Sequence, residues 1–377
     1  RHGWRDTWNL TNSRIERGIQ AIIPAEGPLG RPGVRFLLHR SDQLIAAGRV
    51  AEAGTLLQQL VARMGQEKGL TYSGDEAILD RGEATHRLAR WMQSTGRPDL
   101  AAGLMQVAAQ LLGEATTTEA QSALISLLSD QSALLLALGQ GEKAEEAGQH
   151  ALQLATALQQ TGTMGRLQAQ LGAIALARDD APIARQRLLT AIDLLSPNPN
   201  DPAVATLWQQ LGSLAWDAWK DAAEAERCLA EASAWAARTG QHALQILAET
   251  RRAEIEEATD RPEEAERRLV AAVDLCRQRD QISELVSIGL ALAEHYLRRG
   301  KLDLAQARAE EARLAAETGL RDRPWQAYTV LRQIAAARGD ADQERQWRRQ
   351  AQEAFVTSPE SQLVRQQWAS LIEAVAQ

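Results

Sequence analysis

The chain has 377 residues, 45% of them hydrophobic but only 4% aromatic, and its apolar weight lies mostly in Ala and Leu, both strong helix formers. Val and Ile occur singly, with no run of alternating apolar and polar residues, so no sheet is expected and the fold class is all-α. A net charge of −7 gives no electrostatic footprint for nucleic acid, and no stretch approaches about 18 uncharged apolar residues, so neither a nucleic-acid partner nor a membrane span is expected.

The first 35 residues stand apart. Trp4, Trp8, Ile15, Ile19, Ile22 and Ile23 suit one amphipathic helix, and PAEGPLGRPG (24–33) then breaks regular structure. Residues 1–35 therefore read as a helix and a Pro/Gly linker, either a cap or the end of a linker from another domain. The start at Arg1 rather than Met leaves room for a targeting segment or domain upstream. Asn9-Leu10-Thr11 matches a glycosylation sequon, but nothing else points to secretion, and without a signal-peptide apolar region the expected compartment is the cytoplasm.

From residue 36 a short block recurs. Small residues stand at Ser41, Ala89, Ser132, Gly172, Gly212, Ala253 and Ala293, with spacings of 48, 43, 40, 40, 41 and 40. A turn follows seven positions after each, and five beyond the turn comes Ala53, Ala101, Ala144, Ala184, Ala225, Ala265 or Ala305. Where two antiparallel helices cross closely only Gly, Ala or Ser leaves room for the neighbouring backbone, so such columns mark helix crossings. Gly48, Gly96, Gly139, Gly300 and Gly339 supply turns, and Pro98, Pro182 and Pro262 suit the first turn of the following helix. First helices are expected near 34–47, 76–94, 119–138, 164–178, 202–218, 241–258, 281–299 and 324–338, with second helices in the intervals. SPNPNDP (196–202) makes a rigid break, with Asp201 as N-cap and Pro202 at the first helical position. The eighth unit, around Gly339, carries Arg332 and Glu344 in the small columns and is degenerate. Residues 36–357 form the repeat array, and 358–377, with Leu363, Trp368, Leu371 and Ile372, read as a capping helix.

In LALAEHYLRRGKLDLAQARAEEARLAAETG (290–319), Leu292, Ala293, Tyr296, Gly300 and Ala305 match the tetratricopeptide pattern position for position. The chain resembles that family from Phe36 to Phe355, in its long variant of about 40 residues per repeat. The resemblance implies a right-handed α-solenoid of about eight helix-turn-helix repeats, whose usual job is to bind other proteins.

The residues themselves offer no constellation for chemistry. His2, His39, His86, His150, His242 and His295 are far apart, and Glu294-His295 is half of an HExxH motif without its second His, so a packing or rim histidine is expected there. Cys228 and Cys276 read as small buried hydrophobes in a reducing compartment. No catalytic residue, metal or cofactor is expected. Trp208, Trp216, Trp219 and Trp235 cluster in one repeat, as a packing stripe or as a binding hot spot.

The resemblance places ligands in a concave groove lined by first helices, at the position just after the small column. Asp42, Arg90, Ala133, Ala173, Ser213, Glu254, Glu294 and Gln333 occupy it here. The four asparagines, Asn9, Asn12, Asn198 and Asn200, all fall outside the repeat helices, so the family's carboxylate clamp is missing. Ala173, Gln209, Ser213, Trp216, Glu254, Glu257, Glu294 and Arg298 are the candidate binding residues. Nothing basic in the column offsets Glu254 and Glu294 before Arg298, so a hydrophobic and basic protein or peptide is the expected ligand. A non-enzymatic interaction scaffold is the leading reading. The alternative is the sensor or regulatory region of a larger signalling assembly, such as a signal-transducing ATPase or a caspase-like protease; an enzyme or a nucleic-acid-binding solenoid comes last. The oligomeric state is not legible.

Overall fold

A computed structural model describes residues 27–319, 324–356 and 358. The expected N-terminal helix and the expected capping helix lie outside these described residues. The chain divides into two compact units, Arg1–Leu195 and Ser196–Gln377. In the first, four helix hairpins follow one another: α1 (Arg31–Ala46) with α2 (Val50–Met64), α3 (Asp75–Ser94) with α4 (Pro98–Gly113), α5 (Thr118–Ala137) with α6 (Gly141–Ala157), and α7 (Thr161–Ala177) with α8 (Ala181–Leu195). The second unit repeats the plan: α9 (Ala203–Trp219) with α10 (Ala222–Thr239), α11 (His242–Ala258) with α12 (Pro262–Gln278), α13 (Ile282–Arg298) with α14 (Leu302–Gly319), and α15 (Pro324–Arg338) with α16 (Ala341–Val356). Eight hairpins at the expected places give an all-α repeat array. Among the described residues the only extended pairing is an isolated parallel bridge between Leu29 and Leu70.

Two boundaries at prolines differ from the sequence reading. Helix α1 begins at Arg31, so the end of the expected linker is helical; Pro32 sits in the first turn, where the missing N–H breaks no hydrogen bond. Helix α9 begins at Ala203, so Pro202 and not Asp201 stands at the cap position, while the Asp201 carboxylate accepts from the Ala203 N–H at 3.0 Å. The wide first spacing also has a cause. Residues 65–74 form a longer connection, whose Gly69 carbonyl accepts from the Leu29 N–H at 2.8 Å while the Thr71 N–H donates to the Leu29 carbonyl at 3.0 Å.

The small columns lie at the helix crossings. Ser41, Ala89, Ser132, Ala293, Ala53, Ala101, Ala144, Ala184, Ala225 and Ala305 are fully buried. In the third hairpin the two columns touch, the Ser132 hydroxyl donating to the Ala144 carbonyl at 2.7 Å. In the eighth, Arg332 and Glu344 replace the small pair with an ion pair at 3.7 Å. Hairpins then share one core with their neighbours: in the second unit a single cluster runs from Ile246 on α11 through Leu269, Leu292 and Ala312 to Ile334 on α15. A lone hairpin cannot bury such a face, so the stack stabilises itself only collectively. In each unit consecutive first helices touch one another more closely than consecutive second helices do, which puts the first helices on the inner side.

Candidate binding face

The candidate residues all fall on first helices, and those that follow the buried small column by one position turn about 100° away from the crossing. Ala173 lies half-buried on α7 in the first unit. The other seven lie on α9, α11 and α13 of the second unit. On α9, Gln209 donates to the Ser213 hydroxyl at 3.2 Å, and Trp216 is half-buried against the cluster of Ala215, Ala225 and Leu229. The Lys220 ammonium sits 5.2 Å from the Trp216 ring centre, a distance at which a cation is attracted to the π face.

Electrostatically the face differs from the sequence reading. Glu254 is not an isolated charge: Arg251, one turn earlier on α11, bonds it at 2.7 Å and reaches Asp217 on α9 at 2.6 Å. Glu257 holds His295 of α13 at 2.6 Å and lies 3.4 Å from Arg298. The acidic residues that look additive along the sequence are thus largely neutralised by bridges within and between successive repeats. Glu294 alone of the three glutamates is exposed without an ion pair among the described residues. His295 is a packing histidine and not a rim one. It is buried, with Nδ1 on Glu257 and Nε2 3.7 Å from Glu266. A hydrogen bond from Lys301 holds the Glu266 carboxyl below its ordinary range. No pattern along the chain announces this joint, because its members come from α11, α12, α13 and the turn before α14.

Other polar groups are structural. Trp235 is buried, its ring N–H donating to the Asp201 carbonyl at 2.8 Å, and Trp208 packs on the same cluster as Trp216, so Trp208 and Trp235 serve mainly as packing while Trp216 is half-buried and Trp219 exposed. Both cysteines are buried and neither forms a disulfide, and burial, with the nearby Glu284 charge, pushes the Cys276 thiol up to about 11. In the first unit the inner face holds a 400 Å³ recess among Asp42, Glu83, His86, Arg87 and Arg90. Its charges are matched internally: Arg87 bonds Asp42 at 3.2 Å and Glu83 at 3.0 Å, and His86 lies 2.9 Å from Asp130. Among the described residues no group of three His, Cys, Asp or Glu is placed to hold a metal ion, and no helix is long and apolar enough to cross a membrane.

Stacked helix hairpins of similar fold recur in solved structures. A signal transduction ATPase with numerous domains and a tetratricopeptide repeat sensor, from Pyrococcus horikoshii, is similar with a TM-score of 0.60 at 15% identity, over 89% of this chain and 53% of that one. The chain has the tetratricopeptide-type fold. The C-terminal part of a tetratricopeptide repeat-containing protein from Cytophaga hutchinsonii is similar with a TM-score of 0.51 at 16% identity, over 78% of this chain and 99% of that one. Aspartyl phosphate phosphatase F from Bacillus subtilis gives 0.51 at 15% identity, over 77% and 73%. At these identities the tetratricopeptide-type likeness concerns the fold. No family model matches the sequence, and no curated protein is a significant relative.

Proposed function

We propose that this tetratricopeptide-type array is a non-enzymatic scaffold that binds a partner protein or peptide on the inner face of its first helices. The carrying observation is how the hairpins divide their residues. The small columns are buried in stacking, whereas α9, α11 and α13 present Ser213, Trp216, Glu254 and Glu294 beside those columns, half-buried or exposed. The fold supports the general role, and the specific face is our reading.

The test is affinity capture from the native cell with wild type, with Trp216→Ala/Glu294→Lys, and with Glu263→Lys on the second helix α12, followed by mass spectrometry. Partners held by wild type and the α12 control but lost from the double variant are the expected result. An identical set from all three proteins sinks the inner-face reading.

A second reading, the sensor region of a larger signalling protein, is favoured by the likeness to the multidomain ATPase, of which this chain spans about half (53%). A full-length transcript encoding a nucleotide-binding or protease domain on the same chain selects it.

A further inference from the structure

Two helical turns before Glu254 and Glu294, on the same inner face, α11 and α13 stand apart around a recess of 350 Å³. That volume is at the small end of the range of about 300–1,000 Å³ typical of ligand pockets, so it suits one bulky side chain rather than a whole helix. Its floor is apolar: Ile246 and Ile288 are buried there. Its wall is Leu247, 51% exposed, with Leu244 beside it. The hydroxyls on the lining do not make it polar. Thr250 donates to the Ile246 carbonyl at 2.9 Å and Ser287 to the Ser283 carbonyl at 3.2 Å, so two of the three lining hydroxyls, all but that of Ser283, are satisfied by their own helices.

One lining group is charged. Glu284 sits in the first turn of α13, where the helix dipole favours a carboxylate, and it makes no ion pair among the described residues. A single exposed Leu on a protein surface means little. An apolar hollow walled by one half-exposed Leu and edged by one unpaired carboxylate is a more specific object, since it matches an apolar side chain with a cation beside it. Glu294, seven residues beyond Ser287 and also unpaired, extends the same preference two turns further along α13.

We propose that this recess is the anchor site for a segment of a partner protein that carries one bulky aliphatic or aromatic side chain with a Lys or Arg within a turn of it. The proposal rests on the inner-face reading and sharpens it: the anchor lies at Leu244, Leu247 and Ser287, outside the column that follows the small residues.

The test selects a random dodecapeptide phage library on the full chain and titrates the enriched peptides, labelled with fluorescein, by anisotropy. Expected peptides carry Leu, Ile, Phe or Trp with Lys or Arg three or four positions away. Leu247→Ser should weaken them about tenfold, and Ser287→Trp, which fills the hollow instead of emptying it, should do the same if Leu247→Ser fails to fold. Glu284→Gln should weaken them about threefold and flatten the salt dependence, and Glu263→Ala on α12 should change nothing. Peptides indifferent to both recess variants but weakened by Trp216→Ala or Glu294→Lys overturn the recess and leave the inner face standing. Peptides indifferent to all four, or a library with no binders, overturn both. Enriched peptides without a cation overturn the charge assignment. A wild-type dimer that Leu247→Ser converts to a monomer in sedimentation assigns the recess to a second copy and overturns the proposal. Tighter peptide binding by Ile19→Ser/Ile22→Ser or Leu363→Ser/Leu371→Ser assigns it to the chain's own ends and likewise overturns the proposal.

Discussion

At Gly212 on α9 an added Cβ would lie 2.7 Å from Cγ of Leu229 and 3.1 Å from the Ala225 carbonyl oxygen. The second contact is with backbone, which cannot swing aside. Gly212→Ala should therefore cost about 1–3 kcal/mol through overpacking. Gly103 on α4 is also helical, but a Cβ there meets nothing within 4 Å. Gly103→Ala should stabilise by about 0.5–1 kcal/mol, because Ala has less backbone freedom to lose in a helix. Urea titrations followed by circular dichroism rank the two, and equal or reversed effects would show that the crossing columns are misplaced. The sequence alone distinguishes these glycines by register: one falls in the 40-residue column and the other does not.

The turns show where residue type and element geometry part company. In all eight hairpins a residue just after the first helix has positive φ, from Gly48 at +74° and Gly96 at +78° to Asp179 at +58°, Lys220 at +52° and Asp260 at +58°. The residue that follows closes the helix end with a backbone bond, as Arg97 does to the Met92 carbonyl at 3.0 Å and Lys301 to the Tyr296 carbonyl at 2.9 Å. These bonds require the left-handed turn whichever residue occupies it, which is why five turns are legible as Gly and the others are not. The connection between α6 and α7 carries the same conformation at Gln159, φ +55°, with its side chain exposed. A left-handed non-Gly residue costs about 1–2 kcal/mol, partly offset by the greater freedom that Gly has when unfolded. Gln159→Gly should therefore raise stability by about 0.5–1 kcal/mol, and a urea midpoint that falls instead would mean that Gln159 makes a compensating contact.

Over the whole molecule, acid should act unevenly. Burial pushes the Glu249, Glu311 and Glu317 carboxyls up, but hydrogen bonds outweigh it: from Ser233 and Arg268 on Glu249, from Arg277 and Arg308 on Glu311, and from Tyr328 and Arg313 on Glu317. All three end below the ordinary value of 4.5, as does Glu266 through Lys301, and these four lie between residues 196 and 377; in the first unit Glu52 is also lowered, by Arg49, but that pair is fully exposed and screened by solvent. A carboxyl whose folded pKa is depressed adds stability that is complete above its unfolded pKa and is lost as pH falls through the folded one. In the first unit Asp80 has the opposite sign. It is fully buried, and desolvation raises it above 3.8 despite the Tyr72 hydroxyl at 2.7 Å and Arg35 at 2.6 Å. Its protonation therefore favours the folded state as pH falls. Hydrogen exchange near neutral pH and near pH 4, corrected for intrinsic rates, should show protection lost first in α11 to α15 and retained in α1 to α4. Uniform loss across both units would contradict this assignment.

The repeat itself was determined by sequence, because the constraint is local and periodic. A helix crossing demands a small residue once per helix, and the columns from Ser41 to Ala293 and from Ala53 to Ala305 display that demand without any long-range knowledge. The charge of the inner face was decided only by tertiary structure. Glu254 looks free along the chain, yet its neutralising network runs through Arg251 to Asp217, 34 residues from Arg251, and Glu257 meets His295 38 residues away. Leu247 escapes notice for the same reason: along the chain it is one apolar residue among many, and only the placement of Ile288 and Glu284 from the next repeat turns it into the wall of a recess. Packing positions obey a rule that each helix repeats, whereas a binding position is defined by its neighbours from other helices, and stacking alone supplies those.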